Sequence, residues 1–270
     1  MQTEEVRLEE ALLKEKALID NLRNLGKVAV AYSGGVDSTY LTAVARETLR
    51  NNALAFFVKG AMIAPAEERE AQELAQTLGF ELKVLTIDVF QIPGFSENSS
   101  ERCYYCKHAL FSLLKQEADR RALQLTEGSN RSDMGDFRPG LKALRELGII
   151  SPLLQAGLTK AEIRFLARKR GLPNWNKPAQ ACLASRIPFG QKISPEILEQ
   201  VAQGEQVLTN LGFSERRVRV HGNLARIEVP TFLFSKFLEH KEEIVKELLK
   251  LGFRFITLDL EGLRSGSLNP

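Results

Sequence analysis

The chain has 270 residues, of which 44% are hydrophobic and 26% charged, and carries a formal net charge of +3. That length buries one large or two smaller cores without staples, and the charge is too small to demand a nucleic acid, so none is expected as a partner. No apolar run approaches the ~20 residues of a membrane helix. The leading Met1-Gln2-Thr3-Glu4-Glu5 is acidic and has no secretory h-region, so a cytoplasmic protein without a membrane partner is expected.

Helical spacing of apolar residues runs from Val6 to Asn24, followed by a β-prone run at Lys27–Tyr32. A helix is expected from Asp37 to Leu49, a strand at Ala53–Val58, a helix at Ala64–Leu78 closed by Gly79, and a strand at Leu82–Ile87. Tyr105–Arg121 reads as helix, Leu123–Thr126 as a fourth strand and Gly148–Leu153 as a fifth. Thr159 and Glu162 fit a capping box opening a helix that ends near Arg170. Strands separated by helix-length segments predict an α/β fold, a Rossmann-like parallel sheet with helices on both faces. Residues 171–195 hold four prolines between Pro173 and Pro195 and read as an extended linker. Beyond it the pattern is helix (Pro195–Leu211), hairpin (Arg217–His221 and Leu224–Val229), helix (Thr231–Leu251) and strand (Phe253–Leu258). The expected organisation is therefore a nucleotide-binding domain over 1–170, a linker over 171–195 and a smaller α+β domain over 196–270.

Ser33-Gly34-Gly35-Val36-Asp37-Ser38 follows the first strand and opens a helix. Ligands of an α/β sheet bind beyond the carboxyl ends of its strands, and glycines let the backbone approach phosphate oxygens. The Ser33 and Ser38 hydroxyls suit the same oxygens. Asp37 would repel phosphate unless a bridging Mg²⁺ stands between them. Walker A is excluded, because Gly-x-x-x-x-Gly-Lys-Ser/Thr is absent. The segment resembles the PP-motif of the ATP pyrophosphatases, which implies cleavage of ATP between the α- and β-phosphates and an adenylated product.

Cys103 and Cys106 stand in Arg102-Cys103-Tyr104-Tyr105-Cys106-Lys107 at the start of a helix, and Cys182 lies in the proline-rich linker. The pair's spacing lets two thiolates reach one metal, and Arg102, Lys107 and the helix N-terminus favour the thiolate form. Three readings stay open on the residues alone: a zinc site with His108 as a further ligand, a redox pair with Cys182 unrelated, and an iron–sulfur cluster on three thiolates.

Further segments widen the resemblance: Glu127-Gly128-Ser129-Asn130, Asp136–Ala143, Asn174-Trp175-Asn176-Lys177-Pro178, Cys182–Gly190, Arg217–His221 and Thr257–Leu260. With the phosphate turn they make the chain similar to the LarE family, ATP-dependent sulfur transferases of nickel-pincer nucleotide cofactor biosynthesis. The resemblance implies that a carboxylate of pyridinium dicarboxylic acid mononucleotide is adenylated and converted to a thiocarboxylate, which supplies sulfur ligands to the nickel cofactor of lactate racemase. It also implies ATP and Mg²⁺, a sulfide or other sulfur donor, and a homo-oligomer. One version of the family sacrifices the sulfur of a single cysteine; the other holds a 4Fe-4S cluster on three. Cys103, Cys106 and Cys182 match the cluster version as its ligands and catalytic residues. Ser33, Gly34, Gly35 and Ser38 match the ATP site, with Asp37 as its Mg²⁺ ligand and a catalytic residue. Arg217 and Arg219 match a basic pair for the substrate phosphate, with Ser185 and Arg186 lining the same site. Glu205 and Glu228 match two acids of a family carboxylate cluster, but Lys236 stands where a third is expected, so no metal site is carried over. Asp133 and Asp136 are candidates for Mg²⁺ or for loop caps. Trp175 is expected to pack, and His108, His221 and His240 form no catalytic set. A tRNA thiolase, an ammonia-using ligase and a nucleotide sensor are the rival readings.

Overall fold

The computed structural model describes residues 2–135, 139–178 and 180–264. Two compact units emerge. The first comprises 1–59, 67–87 and 103–179, and the second 60–66, 88–102 and 180–270.

In the first unit, strands β1 (Val28–Ala31), β2 (Ala53–Lys59), β3 (Leu82–Thr86) and β4 (Gln124–Thr126) form a sheet in the order β3-β2-β1-β4. Every pairing is parallel, with Val28 opposite Ala53 and Gln124, and Ala55 opposite Leu82. Parallel neighbours need crossovers, and helices α1 (Gln2–Leu25), α2 (Val36–Leu49), α3 (Pro65–Thr77), α4 (Arg102–Arg120), α5 (Pro139–Glu146), α6 (Pro152–Gln155) and α7 (Lys160–Lys169) lie along these connections or flank them. Alternation along β1 sends successive side chains to opposite faces. Val28 and Val30 join a core with Leu18, Leu22, Leu41, Leu153 and Leu166 from α1, α2, α6 and α7. Ala29, between them, joins Phe56, Leu125, Leu114 and Ala118 in a second core with α4. Helices therefore cover both faces, as the α/β pattern predicts. Each large side chain fully buried there, such as Phe56 or Leu41, contributes roughly 1.5–3 kcal/mol.

In the second unit, β5 (Arg217–His221), β6 (Leu224–Glu228) and β7 (Phe255–Leu258) form a sheet in that order. The β5–β6 hairpin is antiparallel, and β6–β7 is parallel. Helices α8 (Pro195–Asn210), α9 (Phe234–Glu239) and α10 (Lys241–Lys250) complete it. Its interior includes Val201, Leu208, Phe213, Val218, Val220, Ile227, Ile244 and Leu248, all buried.

Two expected elements come out differently. The fifth strand is reduced to one parallel bridge between Thr126 and Ile150. Pro152 lacks the N–H a ladder needs and sits at the start of α6 instead. The long helix from Thr231 is broken into a 3₁₀ turn at Thr231–Leu233, then α9 and α10. His240, at φ −95° and ψ 7°, is the joint that closes one helix and opens the next.

Candidate active site

The phosphate turn leaves β1 and enters α2. Gly34 has φ +73°, and a Cβ on it would stand 2.8 Å from the Ala71 Cβ, so only glycine fits. The serines are drawn together: Ser33 N donates to Ser38 Oγ at 3.1 Å, the two hydroxyls are 3.1 Å apart, and Ser38 Oγ donates to Gly35 O at 3.1 Å. Gly35 is the N-cap of α2 and has no side chain to close the helix end, so no side chain caps its N–H groups. Gly128, just past β4, packs on the turn: a Cβ there would lie 3.2 Å from Ser38 N and 3.3 Å from Asp37 Cβ. This gives Glu127-Gly128-Ser129-Asn130 a physical reason to accompany the phosphate turn. Glu127 itself is buried, accepts from Ser129 N at 2.9 Å, Ser129 Oγ at 2.8 Å and the Ser151 hydroxyl, and is shifted upward by burial.

Two residues that the sequence reading did not single out complete the turn. Lys160, the first residue of α7, donates to Asp37 Oδ2. Asp37 Oδ1 is buried with no hydrogen-bond partner. Burial raises the Asp37 carboxyl above its ordinary value of 3.8, and Lys160 opposes that shift. A buried carboxylate oxygen without a donor is a fitting ligand for a hard cation, so the residues present suit Mg²⁺. Asn174, also buried, donates through Nδ2 to Gly34 O and Thr39 Oγ1, both at 3.0 Å. It ties the segment Asn174–Pro178 to the turn. The only prior signal for either residue was the capping box beside Lys160 and the resemblance around Asn174.

Cys103 and Cys106 fall in the first turn of α4, one helical turn apart, where two thiolates share a face. The hydroxyl of Tyr104, between them, donates to Glu146 Oε2 at 2.6 Å, and Lys142 Nζ lies 5.1 Å from the Tyr104 ring centroid. Residues of α5 thus pack on the cysteine turn. Cys182 precedes a 3₁₀ turn at Leu183–Arg186 in the second unit. All three cysteines are thiols of intermediate exposure. Among the described residues, no group of three or more His, Cys, Asp or Glu is arranged to hold a metal ion. The donor set on α4 alone supplies two thiolates, a chemistry that suits iron or zinc.

The arginines of the second unit are held by carboxylates. Arg186, 0% exposed, forms a two-pronged pair with Glu205 (Nε to Oε1 2.7 Å, Nη2 to Oε2 3.0 Å). Its Nη1 also donates to Ala181 O at 2.7 Å and Ser185 Oγ at 3.0 Å. Arg219 makes the same kind of pair with Glu228 (3.1 and 2.9 Å) and donates to Ser185 O at 2.7 Å. Ser185 Oγ in turn donates to Cys182 O at 2.7 Å. Ser185, Arg186 and Arg219 therefore form one bonded set around the backbone of Cys182. Arg217 lies two residues along β5, half-buried, and donates to Arg216 O at 2.7 Å. Glu205 and Glu228 are arginine partners, and Lys236 Nζ donates to Gly212 O at 3.0 Å while lying 4.8 Å from the Phe213 ring centroid.

Asp133 Oδ2 accepts from Asn130 N at 2.9 Å, a loop-capping bond; Asp136 lies outside the described residues. Trp175 packs at the edge of the first core, with the Arg168 guanidinium 5.0 Å from its ring centroid. His221 is lowered by burial and by Arg226 and Arg219.

A parallel sheet whose first strand ends in this serine–glycine turn, with an acid poised for a cation, defines an enzyme of the PP-loop ATP pyrophosphatase class. A family model described as NAD synthase matches residues 12–109. The chain is 36% identical to pyridinium-3,5-bisthiocarboxylic acid mononucleotide synthase of Lactiplantibacillus plantarum, covering 95% of this chain and 94% of that protein. It is 38% identical to an uncharacterized protein of Synechocystis sp. over 93% and 96%, and 33% identical to one of Methanocaldococcus jannaschii over 88% and 91%. The chain belongs to the LarE family of ATP-dependent sulfur transferases.

Proposed function

We propose that this enzyme adenylates a carboxylate of pyridinium dicarboxylic acid mononucleotide and converts it to a thiocarboxylate for a nickel-pincer cofactor. The observation that carries this reading is the identity to the Lactiplantibacillus synthase along nearly the whole chain. The substrate carboxylate attacks the α-phosphorus of ATP, and the bond to the β-phosphate breaks to release pyrophosphate. Ser33, Ser38 and the open N–H groups at the start of α2 bind the phosphate oxygens. Asp37 would hold Mg²⁺, which when bound would supply neutralisation of the triphosphate, and Lys160 orients the Asp37 carboxylate. Gly34 and Gly35 let the backbone approach the nucleotide.

Cys103, Cys106 and Cys182 are the thiolates that would hold a 4Fe-4S cluster, and the chemistry such a cluster would supply is delivery of sulfide to the activated carboxylate. Sulfur replaces the carboxylate oxygen that leaves with AMP. Arg217 and Arg219, with Ser185 and Arg186, serve the phosphate end of the substrate. Arg219 does so from inside its pair with Glu228, which fixes the direction of its guanidinium, while the fully buried Arg186 holds Ser185 in place through Nη1. The protein acts in the cytoplasm as a homo-oligomer with a sulfide donor, and without nucleic acid.

The test separates the two half-reactions. Anaerobically prepared protein given substrate, Mg²⁺ and ATP is assayed for pyrophosphate and, after added sulfide, for thiocarboxylate by mass spectrometry. Cys103→Ser should keep substrate-dependent pyrophosphate release and lose thiocarboxylate. Absence of pyrophosphate release from the unaltered enzyme would sink the assignment.

A further inference from the structure

In the second unit, segment 88–102 and the loop 181–193 are fastened together, and Asn98 is the hub. Asn98 is fully buried and has φ +54°, a backbone state that asparagine tolerates better than most residues. Its Nδ2 donates to Pro188 O at 2.7 Å, Gln191 O at 2.8 Å and, less closely, Ile187 O at 3.4 Å. Its backbone carbonyl accepts from Gly190 N at 3.0 Å, and its Oδ1 accepts from Arg102 Nη1. Arg102 is buried too; the same Nη1 donates to Ala184 O at 2.9 Å, and the guanidinium lies 5.4 Å from the Phe189 ring centroid. Ile193 N to Ser96 O and Leu183 N to Met62 O, both 2.9 Å, continue the lacing.

Burying a guanidinium and an amide is expensive unless their bonds are met, and here they are met mainly by loop carbonyls. A loop needing only to be covered could be packed by apolar side chains. A planar fork and a primary amide fix both distance and direction. Arg102 is the first residue of α4 and immediately precedes Cys103, while Ala184 is two residues beyond Cys182. One guanidinium therefore bonds the backbone two residues beyond Cys182 from the residue that precedes Cys103 in the chain.

We propose that Asn98 and Arg102 are positioning residues for the sulfur chemistry: they hold the Cys182 loop in one conformation, tied to the residue from which α4 starts. The proposal rests on the three-thiolate reading above.

The test uses the full chain with three substitutions. Asn98→Gly keeps the left-handed backbone but deletes every side-chain bond. Arg102→Met removes the fork at similar length, and Arg102→Lys keeps one donor. In metal-free protein, alkylation at each cysteine is timed by peptide mapping. Asn98→Gly and Arg102→Met should label Cys182 about tenfold faster, with Cys103 and Cys106 changed much less and Arg102→Lys in between. After anaerobic loading with iron and sulfide, the same two variants should lose their visible absorbance to a chelator several-fold faster than unaltered protein, with Arg102→Lys partly rescued. Wild-type labelling rates at Cys182 in both variants would overturn the proposal, as would equal acceleration at all three cysteines, which marks general loosening. If Asn98→Gly does not fold, the Met and Lys variants of Arg102 decide alone. If the unaltered protein takes up no iron, the cluster reading fails while the alkylation comparison still decides the positioning role.

Discussion

Lys160 donates to Asp37 Oδ2 from 123 positions away in the chain, while Asp37 Oδ1 is buried without a partner. The carboxylate is half satisfied by the protein, and its remaining oxygen is suited to a divalent cation. Burial pushes the Asp37 carboxyl up, and the Lys160 hydrogen bond and charge work against that push.

Replacing Lys160 with Met should therefore slow pyrophosphate release by on the order of 10²-fold, the scale of losing one preorganised electrostatic contact. The effect should include weaker Mg²⁺ binding, read as a rise in the Mg²⁺ concentration giving half-maximal rate. An unchanged rate and Mg²⁺ requirement would remove Lys160 from the site.

The raised Asp37 carboxyl also sets a pH dependence. In the folded chain it holds its proton above 3.8, where the unfolded chain has lost it. The folded state then binds more protons within that window, so this group's contribution to stability falls as pH rises from 3.8 through the raised value. Asp37→Asn should remove that component and unfold at a higher temperature than the unaltered, nucleotide-free chain at neutral pH, while losing adenylation. Thermal melts across pH, with and without Mg²⁺ and ATP, check both halves. A variant less stable than the parent at neutral pH would contradict the burial argument.

Gly34→Ala should cost about 1–3 kcal/mol, because a side chain must enter the left-handed region and press on Ala71. Urea unfolding measures the loss. ATP binding should fail more completely than stability, since the turn cannot shift away from Ala71 without moving its N–H groups. Gly26→Ala makes the control: its φ is also positive, at +71°, but no atom lies within 4 Å of the added Cβ.

The parts legible in the sequence were those with local signals. The phosphate turn announced itself through a strand, two glycines and a helix start within a dozen residues. The capping box of Thr159 and Glu162 was readable for the same reason, and both of its bonds form. Ile150 looked like a strand because its neighbours are apolar, yet Pro152 ended the ladder after one bridge. The break at His240 had no such marker, as helical periodicity continues across it. Lys160, Asn174 and Asn98 act through partners 123, 140 and up to 93 positions away. Nothing in their neighbourhood names those partners; only the folded chain does. Arg186 and Arg219 were legible as functional arginines by resemblance, but their pairing with Glu205 and Glu228 requires the register of β5 with β6 and the docking of α8 on the turn after Cys182.

That pairing carries the last prediction. Arg186 and Glu205 are both buried, and Glu205 Oε1 also accepts from Val218 N at 3.2 Å. Removing Glu205 leaves the buried Arg186 guanidinium without its carboxylate, so Glu205→Ala should cost about 3–5 kcal/mol. Replacing both residues with Met should recover much of that loss, because a well-packed apolar pair avoids the desolvation penalty altogether. Denaturant titration of the two single variants and the double variant gives the coupling. The double variant separates stability from function: Arg186 Nη1 holds Ala181 O and Ser185 Oγ beside Cys182, so thiocarboxylate formation should stay impaired after stability has returned. Recovery of sulfur transfer along with stability would show that the pair serves the fold alone.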